Sequence, residues 1–353
     1  MSTATLSIWP NFGRRAGRIS VVALAGSVLL AVLAPEVAVR AYRFAAFACL
    51  QPALGSLIFL LIFRITGGQW GESLLPFFRA GVRLLPWIWP LIAPLALMPI
   101  PHPGFRDFDA AIPANPPAMV LLLRAAAYEL IFLALRRVAL RETGRNLAAP
   151  GLLALVFTLH FLAADWFFTL EPGWYSSGFP LVWMSLQAGA GLALAIVATA
   201  AAGRGADEEG SAGRPLGHDW GDLILTTVIF SSYVAFVQFL IIWSGNLPRE
   251  IAWYLRRGTG GWKVLIAAVA VFHLAFPVAF MLFRPVKRSR TWMPRVAALV
   301  FGAEAVWAAW MILPAFGDRG ALFPVACVLG LAAGAGLLAP RYLSSLLSGK
   351  ELP

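Results

Sequence analysis

The feature that most constrains this chain is the recurrence of apolar runs long enough to cross a hydrocarbon core of about 30 Å. They fall at roughly 19–38, 42–64, 80–99, 118–139, 149–170, 178–200, 221–244, 261–284, 292–314 and 321–340. In lipid every backbone N–H and C=O must be paired internally, so segments of this length are helices and not strands of an open sheet. The sequence therefore predicts an all-α, polytopic integral membrane protein of ten transmembrane helices, a single membrane domain over 1–353. Composition points the same way. With 60% hydrophobic residues, 13% charged and a mean hydropathy of +0.77, a water-soluble fold would lack the polar surface to cover itself.

The net charge of +11 does not indicate nucleic acid. Lys and Arg sit in short clusters between the apolar runs, where they set topology and meet anionic lipid head groups. Of the 28, 19 fall at the termini and in the loops after even-numbered helices, 8 fall in the other loops, and Arg124 lies within a helix. That excess predicts both termini on the cytoplasmic side of the membrane, with 1–18 a cytoplasmic N-terminus. The longest polar connection, 201–218, reads as a Gly-rich, charged cytoplasmic linker with no core of its own, and hence mobile. The basic-then-apolar N-terminus is built like a secretory signal. Pro35 follows the best small-residue cleavage position, however, and a second span begins at once, so an uncleaved first helix is expected.

Cys49 and Cys327 both lie in apolar runs, with no CxxC, no CxxCH and no set of four. The chain by itself therefore offers no ligands for an iron–sulfur cluster or a c-type haem, and no metal or other cofactor is expected on it. His102 and His218 fall in loops on this reading, leaving His160 and His273 as the one pair that could hold a b-type haem, without supporting spacing.

An ionisable side chain inside a span costs about 2.5–3.5 kcal/mol on insertion scales, so each is a candidate functional group. The set is Arg124 and Glu129 in the fourth helix, His160 and Asp165 in the fifth, Asp222 opening the seventh, His273 in the eighth and Glu304 in the ninth. Tyr233 and Gln238 in the seventh add uncharged hydrogen-bonding groups. Together they sample the membrane thickness, as a proton path requires. Structural pairing, for example of Glu129 with Arg124 or Arg136, is the competing reading for each. Asp222, Thr226 and Tyr233 share one stripe of the seventh helix; Ser231 and Gln238 share another. Pro277 deprives the His273 carbonyl of its helical partner, and Pro86, Pro90 and Pro94 do the same along the third helix. In the outward stretch DWFFTLEPGWYSSGF (165–179), the Glu171-Pro172-Gly173-Trp174 turn reads as an interfacial anchor, with Trp166 and Trp174 at head-group depth.

Residues 222–254, DLILTTVIFSSYVAFVQFLIIWSGNLPREIAWY, resemble the F subunit of bacterial alternative complex III, the NrfD-like quinol:cytochrome c oxidoreductase quinone-binding subunit 2. Asp222, Tyr233, Phe236, Gln238, Ile242, Trp243, Asn246, Leu247, Pro248 and Glu250 carry the pattern. Asp165-Trp166, Leu170-Glu171-Pro172 and Trp174-Tyr175-Ser176, with TGGQWG at 66–71 and Arg284, Lys287 and Arg288, are similar too. Arg249 and Gly173 depart from it.

The resemblance implies two four-helix bundles, helices 2–5 and 6–9, flanked by helices 1 and 10. It implies a subunit without redox cofactor in a complex that oxidises quinol and passes electrons through iron–sulfur and haem c subunits, alongside a sister NrfD-like subunit and a terminal oxidase. Proton translocation or structural support would then be its role. A stand-alone secondary transporter is the alternative from composition, and a quinol-binding anchor lined by Arg124, His160 and Asp165 is a further one.

Overall fold

The computed structural model describes residues 3–98, 117–141, 145–171, 174–317 and 322–347. Ten helical segments among them are long and apolar enough to cross a membrane. The chain is thus an all-α, multi-pass membrane protein; among the described residues the one extended pairing is an isolated bridge between Glu209 and Pro215. His102, Pro172 and Gly173 lie outside the described residues.

The helices are α1 (Thr3–Leu33), α2 (Pro35–Thr66), α3 (Gln69–Val82), α4 (Ile88–Leu97), α5 (Ala118–Leu140), α6 (Arg145–Trp166) and α7 (Phe179–Ala201). They continue as α8 (Leu216–Gly245), α9 (Pro248–Arg257), α10 (Gly260–Val269), α11 (Phe276–Met281), α12 (Arg284–Lys287), α13 (Trp292–Ile312) and α14 (Leu322–Leu347). Helices α3 and α4 form one span interrupted by a 3-10 turn at Leu85–Trp87, and α10 and α11 form another, joined by a π-helical stretch at Ala270–Ala275.

Prolines explain both breaks. Pro86 sits in the 3-10 turn, where its missing N–H ends the α pattern. Pro277 cannot donate to the His273 carbonyl, and the backbone widens into π geometry just before it instead of leaving a straight helix with a gap. The expected third span, 80–99, is corrected at its start: helix begins at Gln69. Gly67 and Gly68, at φ of 65° and 103°, turn the chain out of α2. The next residues are half polar, which hid them from a hydropathy reading, yet Trp70 packs edge-on against Phe59 and Phe63 and seats the new helix.

Helices α1 and α14 run antiparallel, with Gly13 against Leu343 and Gly26 against Leu329, and the Ser20 hydroxyl donates to the Ala333 carbonyl. The N-terminal end of α1 and the C-terminal end of α14 therefore share one end of the molecule, called here the terminal end. The core is the pair α2 and α7, whose most apolar windows are 78% and 72% buried against 22% for the α10–α11 span. They meet backbone to backbone: a Cβ on Gly55 would stand 1.8 Å from the Gln187 carbonyl oxygen, and one on Gly191 would stand 2.4 Å from the Gly55 carbonyl carbon. Around this pair, α2 packs on α3 and α6, α5 on α4 and α6, α7 on α8 and α13, and α11 on α8.

The 201–218 segment departs from expectation. Ala202 and Ala206 are buried, the Gly217 and Leu216 amides donate back to Ala206 and Glu208, and Arg290 pairs with Asp207. The Ala212 amide donates to Gln69. A chain of small residues and turns can lie flat against helix ends, which composition alone does not show. His218 is also corrected, from loop to the first turn of α8, where Arg288 donates to it.

Candidate functional site

The His273 imidazole and the Glu304 carboxyl meet between the π stretch and α13, Nε2 to Oε1 at 3.0 Å, with each side chain only 1% exposed. Widening the helix at 270–275 sets the ring beside α13, where the Trp307 indole packs edge-on against it at 4.8 Å. On its other side Glu304 rests on α7 at Gly189; a Cβ there would lie 2.0 Å from Oε1. His273 Nδ1 and Glu304 Oε2 are buried and unpartnered among the described residues. A carboxyl and an imidazole in so dry a place can share one proton as a neutral pair or an ion pair, and a second proton needs a partner on one of the two open atoms.

Asp165 is held quite differently. Arg124 Nη1 donates to Oδ1 at 2.6 Å and the Tyr128 hydroxyl to Oδ2 at 2.5 Å, so both oxygens are occupied. Arg124 and Tyr128 are four residues apart on α5 and so present one face to α6. Tyr128 was not among the sequence candidates; its i+4 spacing from Arg124 was the available signal. The Arg124 side chain is 52% exposed, which leaves this an ion pair at the edge of the bundle. His160, half-buried, packs on Phe161 and is not part of it. Among the described residues Glu129 pairs with neither Arg124 nor Arg136: the Trp89 backbone amide at the start of α4 faces its carboxyl, and Oε2 is buried without a partner there.

The two stripes of α8 separate by environment. Asp222, Thr226 and Tyr233 face outward, with Asp222 paired to Lys287. Ser231 and Gln238 face inward, and Gln238 donates to the Tyr254 hydroxyl. Burial raises Tyr254 to about 12, with the Gln238 bond opposing. The candidate groups thus do not converge on one path: His273 meets Glu304, Arg124 meets Asp165, and the others stand in separate places.

A site that sequence reading missed lies at the far end from the termini. Glu171, 2% exposed, accepts from Arg257 at 2.5 Å and from Arg256 at 2.9 Å. Arg257 is fully buried, donates also to the Met311 and Trp253 carbonyls, and stacks over the Trp253 ring at 3.7 Å. Burial lowers its guanidinium to about 10, with Glu171 holding against that shift. Trp174 stacks on Trp253 and donates to the Glu250 carbonyl. The Glu171–Trp174 turn is therefore an internal clasp between the end of α6 and α9. It is not the head-group anchor its tryptophans suggested: Trp166 and Trp174 are 2% and 3% exposed.

No protein-family model and no curated protein matches this chain. Among the described residues, no group of three or more His, Cys, Asp and Glu gathers as a metal site would require.

Proposed function

We propose that this chain is a membrane subunit of a quinol-oxidising respiratory complex of the alternative complex III type, with NrfD-like paired bundles and both termini in the cytoplasm. It carries no redox centre of its own; electrons pass through iron–sulfur and haem c partners. Its contribution is proton exchange at His273 and Glu304, with the Glu171–Arg257 clasp and the Arg124–Asp165 pair as structural supports.

The observation that carries this reading is the His273–Glu304 pair itself. A dry carboxyl–imidazole pair is costly to keep, and each partner still offers an unused polar atom. It sits at a π-bulge, a distortion frequent at functional sites. Asp165, by contrast, has both oxygens engaged. Affinity purification of the tagged chain from its native membrane tests the assignment to a complex. The expected eluate shows c-type haem absorption and iron–sulfur polypeptides in fixed ratio to the chain. A chain that elutes alone in every mild detergent contradicts it.

A further inference from the structure

The two halves of the sequence carry the same two short patterns. LQPALGSL (50–57) in α2 is matched by LQAGAGLA (186–193) in α7, and QWGESLL (69–75) in α3 by DWGDLIL (219–225) in α8. In the structure the matching residues touch each other. Gly55 and Gly191 form the close crossing of α2 and α7. Gln69 Nε2 donates to its counterpart Asp219 at 2.9 Å, and beside that contact Trp220 Nε1 donates at 3.1 Å to Ser73, a non-equivalent residue of the matched segment. The packing order repeats as well: in each half the first helix lies on the second and fourth, and the third lies on the same two. Even the polar pairs correspond, with the partner on the third helix and the acidic residue on the fourth: Arg124 and Tyr128 with Asp165, then His273 with Glu304. Equivalent residues meeting along parallel helices define a pseudo-two-fold axis along the membrane normal.

One equivalent pair beside that axis is polar and buried. Gln51 and Gln187 are equivalent, each four residues before its crossing glycine and therefore on the same face of its helix. They are 2% and 0% exposed. Gln51 Nε2 and both Nε2 and Oε1 of Gln187 are buried with no partner among the described residues. The Trp183 indole N–H, one turn before Gln187 on α7, is in the same state. A buried amide left unpaired is costly, and an apolar residue at either position would avoid that cost.

We propose that Gln51 and Gln187 form a built water site on the axis between the two halves, where one or more ordered waters bridge the two amides. Buried waters take two to four such partners, and two carboxamides on the facing sides of α2 and α7, with an indole N–H one turn away, supply them. Gly189, against which the Glu304 carboxyl rests, is two residues from Gln187, so this hydration lies on the far side of α7 from the carboxyl–imidazole pair. The site does not depend on the chain's belonging to a respiratory complex.

Radiolytic footprinting of the full chain in nanodiscs, in water labelled with oxygen-18, tests this directly. Hydroxyl radicals form from bound water in place, so leucines beside the site should be oxidised although buried. Leu54 and Leu186 should label several-fold more than Leu60 and Leu192, which are equally buried elsewhere in α2 and α7. Equal labelling of all four in the wild-type chain would overturn the proposal. In the double variant Gln51→Leu, Gln187→Leu the excess at Leu54 and Leu186 should vanish. Its persistence in that variant would also overturn the proposal, because water would then be present without the amides.

Discussion

At the scale of single residues, three carboxylates that look alike in sequence have three different fates. Asp165 is locked by Arg124 and Tyr128, Glu171 is enclosed with Arg257, and Glu304 shares one hydrogen bond with a histidine and keeps an oxygen free. Removing one partner of a buried pair strands the other charge, at about 3–5 kcal/mol. Glu171→Ala should therefore lower the thermal midpoint sharply, because Arg257 is left charged and fully enclosed. The double variant Glu171→Leu, Arg257→Leu should recover most of the loss, as measured by thermal unfolding in detergent. A double variant no more stable than Glu171→Ala would show that the clasp acts through something besides its charges. Asp165→Asn should cost less than Glu171→Ala in the same assay, because the amide oxygen still accepts a hydrogen bond and the half-exposed Arg124 side chain can reach toward the nearby helix end.

At the scale of elements, the apolar runs were legible because a bilayer demands them, and Pro277 pointed to the broken eighth span. The start of α3 was not legible, since a half-polar helix lying against α2 does not raise hydropathy. Nor was the Glu171 clasp, which joins residues 85 and 86 positions apart. The pairing of Asp165 with Arg124 depends on how α5 rotates against α6, which spacing within either helix leaves open. Close helix crossings give a sharper test at this scale. Gly55→Val should abolish the tight approach of α2 to α7, where the obstacle is backbone, and lower the yield of folded protein. Gly302→Ala in α13, with open space around it, should be neutral or stabilise by up to about 1 kcal/mol through helix propensity. Comparing folded yields by size-exclusion chromatography decides this; similar losses in both variants would refute the crossing as drawn.

For the whole molecule, a buried central pair, α2 and α7, is surrounded by helices that turn much of their surface to lipid. In that arrangement the His273–Glu304 pair lies on the side of α7 away from α2, where Gly189 makes room for the Glu304 carboxyl. Gly189→Ala should leave the fold intact but push that carboxyl off His273. The expected sign is a shifted Glu304 C=O band in infrared difference spectra, and an unchanged band would count against the geometry. A reporter fused to the C-terminus should be active only when it is a cytoplasmic reporter, as the distribution of Lys and Arg requires.

The most direct test of the central claim is the proton-to-electron ratio of the purified complex in proteoliposomes, wild type against Glu304→Gln. Quinol oxidation should continue in Glu304→Gln while proton release per electron falls, and Asp165→Asn should leave the ratio at the wild-type value. An unchanged ratio in Glu304→Gln would contradict that claim and leave the chain a structural subunit.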